Sequence, residues 1–213
     1  LPDGMVPVNL WKHSETGTTD QGTKEVLELI GKNIFPYPKP ISLIQRMLLL
    51  GTNENDIILD FFAGSGTAAH AVMDLNATDG GKRKFICVQW AQETPTKSEA
   101  RKAGYETIFD ITRARIDKAG KKIIESENPD VDLDIGFRVF EVADDEKQAI
   151  YSKKLSEVSQ ADLTELANTP KNEEPETILY NLLVADKLPL DTKINELEKG
   201  VFYKAKNVGI VLG

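Results

Sequence analysis

The sequence predicts an α/β protein followed by a smaller, acidic α+β region, and three observations carry that expectation. In Asp56–Thr67 (DIILDFFAGSGT) a short β-favouring run meets a glycine-rich turn, and a helical pattern follows it through Ala68, Ala69, Ala71, Val72 and Leu75. A second apolar run, Phe85–Val88, comes after an Asp79-Gly80-Gly81 turn, at the spacing of a strand–helix–strand unit. Charge then shifts along the chain. Residues 1–123 hold 16 Lys/Arg against 15 Asp/Glu, whereas residues 124–213 hold 10 against 19. The change of character at Asp144 divides the chain into an α/β part, 1–143, and an acidic helix-and-strand part, 144–213.

Composition excludes several classes. The 213 residues are 40% hydrophobic, enough for one or two packed domains. No run of 18 apolar residues exists, so no membrane partner is expected. The amino-terminal LPDGMVPVNLW has neither the basic start nor the apolar centre of a signal peptide. A single cysteine, Cys87, cannot form an internal disulfide and suits a reducing cytoplasm. Buried in an apolar strand, it is expected to be inert. The acidic second part should repel a phosphate backbone and is assigned no close contact with DNA.

In chain order, Leu1–Asn9 reads as coil or edge strand anchored by Trp11, and Ser14–Thr23 as a polar loop. Lys24–Ile30 reads as a short helix stopped by Gly31. Prolines 36, 38 and 40 hold Phe35–Pro40 extended, and Pro40 opens a helix with Ile41, Ile44, Met47 and Leu48 on its apolar face and Gly51 at its end. Ile57–Leu59 form a short buried strand that Asp60 ends, and Gly64-Ser65-Gly66 turn the chain into the next helix. Lys82-Arg83-Lys84 reads as a solvated approach to a strand over Lys84–Trp90. A polar loop, Glu93–Lys102, leads to a long amphipathic helix, Tyr105–Glu125, with Arg113 and Arg115 assigned to its solvent side. His70 is expected to be packed rather than catalytic. Phe137–Val142 alternates and reads as a strand. Glu146–Leu166 and Glu174–Lys187 read as helices joined by an acidic linker, and Val201–Lys204 and Gly209–Leu212 as strands. No Cys/His spacing suggests a metal site.

Strand, glycine turn and helix present a ligand at the carboxyl ends of a sheet's strands. Gly64-x-Gly66-x-x-Ala69 satisfies the dinucleotide pattern formally, but Asp60-Phe61-Phe62-Ala63 separates strand from glycine. The second strand also ends in Gln89-Trp90 rather than in an acid for a ribose. The block Asp60–Thr67 instead resembles the D-x-F-x-G-S-G-T cofactor motif of amino-DNA methyltransferases, which bind S-adenosylmethionine. By that resemblance Asp60, Phe62, Ala63, Gly64, Ser65, Gly66 and Thr67 are cofactor-binding, and the fold is a partial Rossmann-like methyltransferase sheet. In the same enzymes a segment ending Lys-Pro carries a lysine to the methionine end of the cofactor. Lys39-Pro40 matches it, with Phe35 where many members have histidine. Gln89 can hydrogen-bond a ribose hydroxyl and Trp90 can stack on adenine, although an acid is common at the Gln89 position.

The matches FPYPKPISLI, DFFAGSGTAAHAV, DGGKRKFICVQ and TIFDITRARI extend the resemblance from about Gly17 to about Val142, toward the methyltransferase (Mod) subunit of type III restriction–modification systems. ETILYNLLVADKLPL and GVFYKAKNVGIVL resemble that family's carboxyl-terminal region more loosely. The resemblance implies methylation of adenine N6 in a short DNA site, in a complex with further Mod chains and a restriction subunit. The family's catalytic Asp/Asn/Ser-Pro-Pro-aromatic tetrapeptide occurs nowhere in the 213 residues, so no catalytic residue is assigned in this chain. It is expected to be the carboxyl-terminal part of a larger enzyme, inactive alone and contacting DNA through the missing upstream part. The strand Ile57–Asp60 should then present an unpaired, apolar sheet edge or cover it by self-association. A methyltransferase of RNA or small molecules, or a non-enzymatic module that binds a partner, are the alternatives.

Overall fold

The computed structural model describes residues 9–126, 133–142, 157–161, 164 and 174–212. Nearly all of the expected amino-terminal coil, most of the helix Glu146–Leu166, nearly all of the acidic linker and the expected boundary at 143/144 lie outside the described residues. The chain divides into two units, Leu1–Gly136 and Phe137–Gly213.

In the first unit the chain turns helical earlier than its polar, glycine-bearing opening suggests. Helix α1 covers His13–Thr16 and α2 covers Thr19–Ile30. The loop expected at Ser14–Thr23 is thus mostly helix. Thr18 caps α2 by accepting the Gln21 backbone N–H. Gly22, a poor helix former, has a packing reason: a Cβ there would overlap the Pro38 carbonyl oxygen. Helix α3 (Ile41–Gly51) follows Pro40 as expected. Strand β1 (Ile57–Asp60) runs into α4 (Thr67–Asp79), which ends at Gly80 in the left-handed region at φ 73°. Strand β2 (Lys84–Cys87) pairs parallel to β1, from Ile57↔Lys84 to Asp60↔Cys87. The regular ladder stops short of the expected Trp90. The Glu93–Lys102 stretch, read as loop, holds the short helix α5 (Glu99–Lys102) and a bridge between Glu93 and Thr107. Helix α6 (Ile108–Ser126) begins later than Tyr105 because Thr107 and Asp110 cap it reciprocally. The Thr107 N–H donates to the Asp110 carboxylate, and the Asp110 N–H donates to the Thr107 hydroxyl.

Apolar clusters of described residues hold this unit together. Ile58 and Phe85, from one face of the β1–β2 pair, pack with Ile41, Ile44 and Leu48 of α3 and Ala71, Val72 and Leu75 of α4. Val26, Ile30, Ile34, Ala100 and Ile111 join α2, α5 and α6. The other sheet face stays open, with Ile57 62% exposed and Leu59 48%, beside Ile86 and Val88. β1 is therefore buried on one side only, whereas a parallel strand is ordinarily covered on both. Among the described residues each of the two strands has one sheet neighbour. The basic triplet is not wholly solvated either. Arg83 is buried, and its Nη1 donates to both Asp79 carboxylate oxygens, at 3.0 and 2.9 Å. Burying its aliphatic stem beneath α4 while the head is paired is how an arginine enters a core.

In the second unit, α7 (Pro175–Ala185) precedes an antiparallel meander of β3 (Ile194–Glu198), β4 (Phe202–Ala205) and β5 (Val208–Val211). The acidic run INELE conceals β3, which was not expected. Leu179, Leu183, Tyr203, Ala205 and Ile210 form the core. Phe137–Val142 is not the expected strand. It is held by side chains instead: Arg138 Nη1 donates to the Leu190 carbonyl at 2.6 Å, and Phe140 meets the Tyr180 ring edge-on at 4.9 Å between centroids.

Candidate functional site

The site grows from the tip of β1. The Asp60 carboxylate accepts the Phe62 N–H at 3.1 Å, which turns the chain over the strand end. The Ala63 N–H then donates to Val88 O and the Gly66 N–H to Ala63 O. Gly64 and Gly66 stand at φ 54° and 78°, in the left-handed region that favours glycine. Space demands glycine as well. A Cβ on Gly66 would lie 3.1 Å from Thr112 O and 3.2 Å from Ile116 Cγ1, and one on Gly64 would lie 3.3 Å from the Phe35 ring. The turn delivers Thr67 to the start of α4, where the first N–H groups of the helix have no partner within it.

Three segments distant in sequence converge on this glycine elbow. From β2's continuation, Gln89 Oε1 accepts the Gly64 N–H at 2.7 Å while its amide nitrogen donates to Trp90 O. From the proline-rich segment, the Lys39 carbonyl accepts the Thr67 hydroxyl at 3.3 Å. From α6, the Thr112 hydroxyl donates to Gly64 O at 2.6 Å. Phe62 is 91% exposed and Trp90 83%, and Lys39 is exposed. Pro40 is buried at the start of α3, and Ala63, Ser65, Gly66 and Thr67 are buried. The Ser65 and Thr67 hydroxyls turn into the protein rather than outward.

What they turn toward is Arg115, which was expected to face solvent. It is fully buried, and its Nη1 donates to Ser65 Oγ at 2.8 Å and Thr67 Oγ1 at 2.7 Å. Glu25 Oε2 stands 3.6 Å from Nη2 and also accepts the Ile41 N–H at 3.0 Å. Burial lowers the guanidinium to about 10, against the pull of Glu25, so it remains charged at neutral pH. Burial raises the Glu25 carboxyl above its ordinary value, against the lowering effects of the Ile41 N–H and Arg115. A signal for Arg115 was in the sequence: it falls on the Ile111, Thr112, Ile116, Ala119 stripe of α6, four residues after Ile111. Thr112, on that stripe, carries no such signal for its bond to Gly64.

Two other groups are packed close by. Burial, with the charges of Arg115 and Lys122, lowers His70 to about 3, which keeps it neutral. Burial, with the Asp60 carboxylate, pushes the Cys87 thiol up to about 12.

Residues 2–107 match the family described as DNA methylase. The chain is 40% identical over 147 residues to the Mod subunit of the type III restriction-modification enzyme StyLTI of Salmonella typhimurium, covering 69% of this chain and 22% of that one. Residues 2–107 belong to the DNA methylase family. Two further relatives widen the likeness. One is the EcoPI Mod subunit of Escherichia phage P1, 34% identical over 192 residues, with 90% of this chain and 29% of that one covered. The other is the type II methyltransferase M.KpnI of Klebsiella pneumoniae, 37% identical over 107 residues, half of this chain and 25% of that one. This chain thus spans less than a third of the length of each of these relatives. The family match takes in the Lys-Pro segment, the elbow and the β2 tip and ends at Thr107, the residue that caps α6. Thr112 and Arg115, which hold the elbow from behind, lie beyond it.

Proposed function

We propose that the glycine elbow, Lys39-Pro40 and Gln89-Trp90 form the S-adenosylmethionine site of a Rossmann-like methyltransferase domain. The whole protein then methylates adenine N6 in DNA within a restriction–modification system. The observation that carries this reading is the convergence on one elbow of the two further segments that the methyltransferase pattern requires, through Gly64 to Gln89 and through Thr67 to Lys39. The residues present fit such a cofactor. Two left-handed glycines turn the strand tip tightly into the helix, and Phe62 and Trp90 offer exposed aromatic faces beside that turn.

When bound, the cofactor supplies an electrophilic methyl group. The chain's part is to bind and orient. Phe62 and Trp90 bury apolar surface on binding, and the Lys39 ammonium suits a carboxylate. Gln89 spends its oxygen on Gly64 and one N–H on Trp90 O, which leaves its second N–H for a hydroxyl. Positioning is a large share of rate, and the acceptors for the target amine and the machinery that flips a base belong to the rest of the protein. The open face of β1 and β2 accords with this division, because more of the sheet's cover would come from that remainder. Further Mod chains and a restriction subunit are the proposed partners, in keeping with relatives named as subunits of restriction-modification enzymes.

Calorimetry on the intact protein tests the assignment. S-adenosylmethionine should bind and NAD should not, and tritiated methyl groups should transfer to duplex DNA. Tight NAD binding without S-adenosylmethionine binding overturns it, and transfer to RNA alone would change the substrate class.

A further inference from the structure

We infer that Arg115 is a positioning residue for this site, locking the glycine elbow and the Lys39-Pro40 segment into one preset unit. The inference rests on the cofactor reading above, and it concerns residues outside the elbow's own motif.

Arg115 is an expensive way to fill space. A buried cation loses its hydration, and among the described residues its Nε and Nη2 have no hydrogen-bond partner. Glu25 stands 3.6 Å away, too far for a good hydrogen bond. An apolar side chain of similar length would fill the same volume at lower cost. Direction is what the guanidinium supplies and a methionine would not.

The bonds show which parts are directed. Arg115 Nη1 donates to the Thr67 oxygen, whose hydroxyl also lies 3.1 Å from Ser65 Oγ; with Ser65 donating across that contact, the single hydroxyl proton of Thr67 serves the Lys39 carbonyl. The same nitrogen donates to Ser65, between the two glycines. On the other side Glu25 faces the guanidinium and accepts the N–H of Ile41. The segment Lys39-Pro40-Ile41 is therefore held at its first carbonyl through Thr67 and at its last N–H through Glu25, with Arg115 between the two holds. Gly22 presses on the same segment from α2, where a Cβ would lie 2.9 Å from the Lys39 carbonyl carbon. One buried cation thus couples two segments 28 residues apart, both of which the cofactor would touch.

The test uses the intact protein, its Arg115→Met and Arg115→Lys variants, and Thr67→Val, which keeps the shape and removes the relay hydroxyl. The readouts are melting, affinity for S-adenosylmethionine, the KM for cofactor against kcat, and hydrogen exchange without cofactor. Arg115→Met and Thr67→Val should each weaken cofactor binding about tenfold, with kcat at saturating cofactor much less changed. Their effects should not add in the double variant, and Arg115→Lys should recover part of the loss. Without any ligand, exchange should quicken together at residues 37–41 and 62–67 and stay unchanged in the second unit. Wild-type affinity in Thr67→Val, or quickened exchange spread evenly over the first unit, overturns the inference. If Arg115→Met does not fold, Thr67→Val decides alone. A wild-type protein that binds no S-adenosylmethionine defeats the cofactor reading, and the ligand-free exchange result then still decides whether the clamp exists.

Discussion

At the scale of single residues, the groups with familiar chemistry near the elbow are silenced by burial. Cys87, pushed up to about 12, is a thiol at neutral pH, and the nearby Asp60 charge opposes its ionisation further. Alkylation by iodoacetamide at pH 8 should be at least about a hundredfold slower than for a free cysteine. Labelling at the free rate would show the strand to be open. His70, lowered to about 3, makes stability depend on pH with a definite sign. Between about 3 and its ordinary value the unfolded chain binds a proton that the folded chain refuses, so stability rises with pH across that window. Falling pH should cost up to about 1.4 kcal/mol per unit, read by denaturant unfolding from pH 7 to 4. Glu25, whose carboxyl is raised, acts with the opposite sign, favouring the fold as pH drops toward its ordinary range. His70→Gln should therefore flatten or invert the slope, and an unchanged slope would assign it elsewhere.

At the scale of elements, glycines with similar sequence settings do different work. Gly22 in α2 lies against the Pro38-Lys39 backbone, which cannot move aside as a side chain can. Gly22→Ala should destabilise the first unit by about 1–3 kcal/mol and shift the Lys-Pro segment. Gly51, at the end of α3, has nothing within reach of an added Cβ. Gly51→Ala should be neutral or stabilise by up to about 1 kcal/mol. Thermal or denaturant melts of the pair check the contrast, and equal effects would mean that the close approach at Gly22 does not hold. Helix α6 shows how far an element's role can exceed its pattern. It packs against α2 and α4, yet Thr112 and Arg115 also grip the elbow from below.

At the scale of the whole molecule, an open apolar sheet face is costly to leave in water. Ile57, Leu59, Ile86 and Val88 lie on it together. The 213-residue chain should self-associate with rising concentration in analytical ultracentrifugation, and Leu59→Lys with Ile86→Lys should suppress this. In a protein whose further sequence covers the face, the same pair should instead destabilise. A monodisperse monomer at high concentration, unaffected by either lysine, would count against the face as an interaction surface.

The sequence by itself determined the local grammar of this protein. Strand, glycine turn and helix at residues 57–79, Pro40 at the head of α3 and the Lys-Pro segment were all legible, because turn chemistry and helical periodicity act over a few residues. So was the likeness to the DNA methylase family, whose match takes in the elbow. Only the tertiary structure decided that Gln89 bonds the elbow, that Arg115 and Arg83 are buried, that Phe137–Val142 is not a strand and that INELE is one. Each of these depends on what lies across the fold from the residue. A cation reads as solvated until a partner 48 residues away supplies its acceptors, and an alternating run becomes a strand only where another backbone is free to pair with it.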